Sequence, residues 1–462
     1  MPSKPPPPPP LPRQGPRPLP LHLAAASLAW MSSLAALPSL RNGSLGWRPE
    51  LAASGSLLAA ELAAADPEKL AAAVAREGER RFISFLDSIR NYRRHPFRRA
   101  APTAPVLWQE GSTRLLDYRQ SNGRKPGKRG RPIMIVPSLI NRAYILDLLP
   151  ERSFMTFLAG EGFRPFLVDW QSPGEVERRF DLGDYILGRL AGALDAVAGA
   201  CGERPVLVGY CMGGDLALGL AHRRAGDLVG LALLATPWDF HAERPEQAAV
   251  LAALLPAFKP LLDSLGELPV DLLQALFAAL DPSLALRKFL AFADLDPDSE
   301  RARQFVALED WLNDGVPLAA SVARECLGQW YGENATALGA WRLRGRAVLP
   351  QRIKLPSLAV IPDQDRIVPP GSALALAKAL PDCRILRAPT GHIGMMSGGR
   401  AEAAVWRPVA EWIAGQETAG QPLSCTATRR PIESKPEAKS PPLKRPKTRR
   451  PKAKSRTKRR TP

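Results

Sequence analysis

The chain has 462 residues, 45% of them hydrophobic, which is enough for one large α/β domain with appendages. Its formal charge is +18, but fifteen Lys or Arg against two Glu from residue 421 onward place +13 of that in the last segment, leaving an ordinary +5 for the rest. Five cysteines (201, 211, 326, 383 and 425) are an odd, widely spaced set without C-x-x-C pairs; they argue against a disulfide framework or a zinc site and fit a reducing compartment.

Residues 1–20 are mostly proline, including the run Pro5 to Pro10, and read as a disordered, unpacked, polyproline-like extension. A helical N-terminal region follows over 21–100. Its first stretch, 21–37, is apolar and alanine-rich, but His22, Ser27, Ser32 and Ser33 interrupt it, so the expectation is an amphipathic helix and no membrane span. Asp66-Pro67-Glu68 has the form of a helix start.

From Val106 the pattern changes. Val106 to Glu110, a Gly111-Ser112 turn and Thr113 to Tyr118 read as a β-hairpin. Strand runs at Pro132 to Val136, Phe163 to Trp170, Pro205 to Tyr210 and Leu228 to Ala235 then alternate with helical runs at Ser153 to Gly160, Asp181 to Ala200 and Asp215 to His222. That alternation implies an α/β fold with a mostly parallel sheet and right-handed crossovers. The strand rhythm stops over 241–345, a helical stretch containing Trp311, Trp330 and Trp341, and resumes with Ser357 to Ile361 and Arg384 to Ala388. The core is thus expected over 101–240 and 346–416, interrupted by a helical cap over 241–345. Residues 417–462 read as a basic, disordered tail.

The stretch Gly209-Tyr210-Cys211-Met212-Gly213-Gly214 stands between a strand and a helix. Small residues at 209, 213 and 214 allow the sharp turn of a nucleophile elbow, with Cys211 at the helix N-terminus. A helix N-terminus lowers a thiol's pKa, and the Met212 N–H faces the place where an oxyanion would form. A second oxyanion donor is expected from the loop after Pro132 to Val136, at Ser138 or Leu139.

A thiolate nucleophile in this arrangement requires a histidine after the last strand and a carboxylate after an earlier one. Of five histidines, His22 and His95 precede the domain, His241 begins the cap, and His222 lies ~16 Å along the elbow helix from Cys211. His392, in a glycine-flanked loop after the final strand, is the expected base. Asp365 is the expected acid, with Asp239 as the alternate and Asp363 as a loop-shaping residue. Asp215, in the first turn of the elbow helix, reads as a charge partner for the helix dipole.

With these residues in place, the sequence resembles the polyhydroxyalkanoate synthases, which have the α/β-hydrolase fold. The resemblance covers residues 81–414. It is carried by the elbow, by Leu139-Ile140-Asn141-Arg142 with Tyr144 to Leu148, and by Val168-Asp169-Trp170. Further matches are Glu309-Asp310-Trp311 with Asp314-Gly315, Asp365 to Pro369, and Gly391 to Met395. It departs at Asp215, where the family usually has threonine, and in its longer N-terminal region.

The resemblance implies an acyltransferase that moves 3-hydroxyacyl groups from 3-hydroxyacyl-coenzyme A to Cys211 and on to a growing polyester. His392 would be its base and Asp365 the partner of His392. It further implies no cofactor, since coenzyme A is the leaving group, and no metal. A homodimer, a second synthase subunit, and a cytoplasmic, granule-associated location also belong to it. Two other readings stay open: a Cys-triad hydrolase (thioesterase, esterase or polyester depolymerase), and a non-catalytic granule- or DNA-tethering protein. The tail, by charge alone, suits DNA or another anionic surface.

Overall fold

The protein is described by a computed structural model covering residues 12–100, 104–120 and 130–416. The Pro5 to Pro10 run, most of the Gly- and Lys-rich linker before Pro132, Cys425 and the basic tail lie outside the described residues.

The expected hairpin forms from Val106–Glu110 (β1) and Thr113–Asp117 (β2), antiparallel and turned at Gly111. The runs that follow are too short for stable helices. They become Pro132–Val136 (β3), Arg164–Asp169 (β4), Val206–Tyr210 (β5), Gly230–Leu234 (β6), Ser357–Pro362 (β7) and Cys383–Ala388 (β8). Every residue of β3, β5, β6 and β7 is buried, the pattern of strands covered on both faces.

All eight strands join one sheet in the order β1-β2-β4-β3-β5-β6-β7-β8. β2 pairs antiparallel with β4, and every pair from β4 to β8 is parallel. The order reverses between β3 and β5, which opens a crevice at the carboxyl ends of the strands. Hydrophobic clusters on the two faces of the sheet contain, on one side, Leu194, Leu216 and Leu220, and on the other, Phe154, Trp406 and Ile413.

The N-terminal region comprises Leu19–Arg41 (α1), Ala52–Ala64 (α2) and Pro67–Arg94 (α3). The start of α3 is the one expected: Asp66 accepts hydrogen bonds from the Glu68 and Lys69 N–H groups, and Pro67 is the first helical residue. Phe85, Ile89 and Tyr92 of α3 pack against Phe289, Phe292 and Val306 of the cap.

Two expectations for this region are corrected. First, residues 12–18 are not an unpacked extension: the Arg13 side chain is 5% exposed and sits 2.6 Å from Asp310. Composition signals a polyproline-like backbone but not the partner that the intervening arginines find. Second, α1 is not amphipathic. Only Ala26 of the helix is buried, while Leu28 and Met31 are exposed. Leucine and alanine occupy every side of it, so it is long and apolar enough to cross a membrane by length and composition.

Between β6 and β7 run the cap helices, including Val270–Ala278 and Leu284–Ala293, then Glu300–Asn313 and the π-helical segment Glu325–Gly332. Two small strand pairs, Glu267–Leu268 with Leu318–Ala319 and Arg342–Leu343 with Arg346–Ala347, interrupt them. Two residues carry no periodicity, so sequence patterning misses such pairs. Trp330 and Trp341 meet edge to face at 5.3 Å inside the cap. Trp311 instead donates its indole N–H to the Arg142 carbonyl at 2.8 Å. Together with the Val316 N–H to Ile140 O bond of 3.1 Å, this ties the cap to the loop after β3.

Candidate active site

β5 ends at Tyr210 and the helix Met212–Arg224 (α4) starts at once, so Cys211 makes the whole turn. Its backbone stands at φ 56°, ψ −133°, a conformation that a residue with a Cβ rarely adopts and that marks a side chain held for a purpose. The Cys211 N–H donates to the Leu234 carbonyl at 2.8 Å, which locks the turn to β6. Glycine is required at two places beside it. A Cβ on Gly213 would collide with the Val136 carbonyl and Pro137, and one on Gly214 would collide with Thr236. The start of α4 is therefore pressed against the ends of β3 and β6, and the Cys211 side chain is left facing the crevice.

His392 follows β8 in the loop that begins at Pro389, and its Nδ1 lies 2.7 Å from Asp365 Oδ2. The other oxygen of Asp365 accepts from the N–H groups of Ile367 at 2.8 Å and Val368 at 2.9 Å, so the carboxylate is fixed before it meets the imidazole. Tyr210 stacks on the His392 ring at 5.3 Å and donates its hydroxyl to the His392 carbonyl at 3.0 Å. Burial of His392 opposes the imidazolium. The adjacent Cys211 sulfur and the Asp365 carboxylate, with hydrogen bonds to both, outweigh it, so His392 is pushed up to about 10. Cys211, His392 and Asp365 thus meet at the carboxyl ends of β5, β7 and β8.

The competing residues are engaged elsewhere. Asp239 accepts from Asn334 at 2.8 Å and from the His241 N–H at 3.0 Å. Asp363 pairs outward with Arg387 at 2.6 Å. His241 turns to the Tyr331 carbonyl at 2.8 Å, and His222 is in the last turn of α4. Of the oxyanion residues, Met212 lines one cavity at Cys211 and Ser138 lines another. The Leu139 side chain is packed in the core. Ile140, named from sequence only within the Leu139-Ile140-Asn141-Arg142 match and not as a site residue, lines both cavities, while the Ser138 hydroxyl accepts from its N–H at 3.1 Å.

Asp215 differs from its reading as a charged dipole partner. It is fully buried, and neither carboxyl oxygen has a hydrogen-bond partner. Burial and then the nearby Cys211 sulfur hold its carboxyl well above the usual range, favouring the neutral acid. The dipole rule applies to a solvated helix start, and nothing local in the sequence announces that this one is dry.

Two cavities share Cys211. One is apolar and runs under the cap between Phe240, Leu251, Leu273, Leu327, Trp330 and Tyr331. The other holds His392 and Ser138 and is charged, with Arg142, Lys288 and Arg366 in its lining. Among the described residues no group of three or more His, Cys, Asp or Glu is placed to hold a metal ion.

A family model described as the alpha/beta hydrolase fold matches residues 131–399, more than half of the chain. One described as the poly-beta-hydroxybutyrate polymerase (PhaC) N-terminus matches residues 100–158. The poly(3-hydroxyalkanoate) polymerase subunit PhaC of Haloferax mediterranei is 29% identical over 338 residues, which is 71% of this chain and 67% of the relative. The protein of that name from Allochromatium vinosum is 29% identical over 312 residues, 67% of this chain and 87% of the relative. The solved monoacylglycerol lipase of Paleococcus ferrophilus aligns at TM-score 0.39 and 16% identity, over 62% of this chain and 97% of that one. The matched polymerase N-terminus includes the loop that Trp311 grips, and the hydrolase match spans Cys211, Asp365 and His392. The chain belongs to the alpha/beta hydrolase fold family and, within it, is similar to the poly(3-hydroxyalkanoate) polymerases.

Proposed function

We infer that this chain polymerises 3-hydroxyacyl groups from their coenzyme A thioesters into a polyester, releasing coenzyme A, with Cys211 as the acyl carrier. The observation that carries this reading is a thiol, where many hydrolases of this fold have a hydroxyl, set beside His392–Asp365 and opening onto an apolar chamber under the cap. With the Cys211 proton held on His392, the sulfur attacks the thioester carbonyl. The bond from that carbonyl to the coenzyme A sulfur breaks, and His392 returns the proton to coenzyme A as it leaves. The new link is again a thioester, so the acyl group stays activated. A 3-hydroxyl group, its proton taken by His392, then attacks this carbonyl, an ester forms, and the Cys211 thiol is restored. Met212 with Ser138 or Leu139 would donate to the oxyanion of each step. An apolar chamber excludes water and directs the acyl group to the hydroxyl rather than to hydrolysis.

Coenzyme A leaves in each cycle, so the reaction as drawn uses no further cofactor. The word subunit in the relatives' names supports a second polymerase subunit, and a homodimer belongs to the same reading. Work at a granule surface in the cytoplasm fits an insoluble product, with the basic tail reaching toward DNA or another anionic surface. The test is to give purified protein 3-hydroxybutyryl-coenzyme A and follow free thiol and product. Thiol release with insoluble oligoester supports the reading, whereas release with free hydroxy acid alone makes the chain a hydrolase.

A further inference from the structure

The N-terminal strap, residues 13–22, precedes both family matches, yet Pro16, Arg17 and His22 line the charged cavity that reaches Cys211 and His392. The strap is fastened at several points. Arg13 reaches Asp310 at 2.6 Å and the carbonyls of Tyr92 at 3.3 Å and His95 at 2.5 Å, and also bonds the Phe97 carbonyl. Arg93 donates to the carbonyls of Gly15 at 3.0 Å and Gln14 at 3.1 Å. The Arg17 N–H donates to Asn313 Oδ1 at 2.7 Å. Arg17 is thereby presented at the cavity by a segment gripped from both α3 and the cap.

The two cavities divide the charge unevenly. The apolar chamber has Arg244 and Asp239 as its only Arg, Lys, Asp or Glu among the described residues, whereas the other is lined by Arg17, Arg142, Lys288 and Arg366 against Asp281 and Glu309. A coenzyme A thioester has the same asymmetry: an acyl group at one end and phosphates at the other, with the thioester between. The four cations are not equally free. Lys288 is held 2.7 Å from a Glu309 that is 2% exposed, and Arg142 is shared between Asp314 at 3.4 Å and Ser172 at 3.2 Å. Arg17, 24% exposed, pairs at 2.7 Å with Asp271, itself 56% exposed, and meets the Asn313 carbonyl at 3.5 Å, while Arg366, 71% exposed, pairs at 2.9 Å with Asp281. Solvent-exposed pairs are weak and exchange readily for a phosphate, which binds a guanidinium with two parallel hydrogen bonds.

We propose that the charged cavity is the coenzyme A entrance and that the N-terminal strap completes it, Arg17 together with Arg366 binding the phosphates of the incoming thioester. The proposal rests on the synthase reading. Asp271 then acts as a competitor that a bound phosphate displaces from Arg17.

The experiment compares 3-hydroxybutyryl-coenzyme A with 3-hydroxybutyryl-pantetheine, which has the same reacting end and no phosphate, on the full chain and its Arg17→Ala and Asp271→Asn variants. Arg17→Ala is expected to raise KM for the coenzyme A thioester about tenfold with little change in kcat, and to leave both constants for the pantetheine thioester alone. Asp271→Asn is expected to lower KM for the coenzyme A thioester only. Equal effects on the two substrates, or none on either, overturn the proposal while the synthase reading stands. Where Arg17→Ala unfolds the strap, Asp271→Asn decides alone, and an unchanged or raised KM there overturns the proposal. If the unaltered chain, alone and together with a second polymerase subunit, releases thiol from neither substrate, the synthase reading falls and this proposal with it.

Discussion

Asp365 holds His392 with one oxygen at 2.7 Å and is itself held by two backbone N–H groups through the other. The carboxylate is buried and cannot swing, so the imidazole is fixed in both tautomer and direction, with its far nitrogen left for the Cys211 sulfur. Asp365→Asn keeps an oxygen for Ile367 and Val368 but offers the imidazole the wrong partner. It should lower kcat about 10³-fold or more while the melting temperature moves little. An activity within tenfold of the parent would show that Asp365 does not orient the base.

The imidazole itself is a second point of test. His392 is pushed up to about 10 against its own burial, by Cys211 and Asp365 together. Its folded value exceeds the ordinary one, so the linked stabilisation is complete below pH 6.5 and is lost as pH rises through about 10. In Cys211→Ala the sulfur that raises it is gone while the desolvation remains, so His392 should titrate at lower pH than in the parent. Imidazole proton resonances followed against pH in the two proteins check this, and coincident curves would contradict it.

Asp215 should be a stability liability. Its buried, unpartnered carboxyl favours the neutral form, so the native state binds more protons than the unfolded one above the usual carboxylate range, and stability falls as pH rises there. Asp215→Thr should raise unfolding free energy by about 1 kcal/mol or more at pH 7, and by less near pH 4. Urea unfolding at the two pH values measures both. A destabilised variant would contradict the account of Asp215 as a buried carboxyl without a partner.

Gly213 should tolerate no side chain. A Cβ there meets the Val136 carbonyl and Pro137, backbone that cannot rotate away, so Gly213→Ala should cost about 1–3 kcal/mol and displace the Cys211 turn. Unfolding curves together with the thiol-release rate would show it, and an unaltered rate and midpoint would contradict the close approach.

The parts of this architecture that local pattern specifies were legible in advance. The elbow was legible because its glycines, strand and helix are contiguous. His392 and Asp365 were legible because each follows a strand and few competitors exist. What depends on distant partners was not. Arg13 finds Asp310 at a separation of 297 residues, and nothing in a proline-rich stretch announces that. The same limit hid the dryness of Asp215, which arises from how α4 packs and not from its own sequence. In α1 the serines suggested a polar face, but apolar side chains surround the helix and leave it without one.

The measurement that tests the central claim most directly is the mass of the peptide containing Cys211, taken after brief mixing of the protein with 3-hydroxybutyryl-coenzyme A and an acid quench. The account predicts a peptide heavier by one or more hydroxybutyryl units, the adduct lost on treatment with hydroxylamine and absent in Cys211→Ala. Coenzyme A release with an unmodified Cys211 peptide, or with the acyl group on another residue, would contradict it.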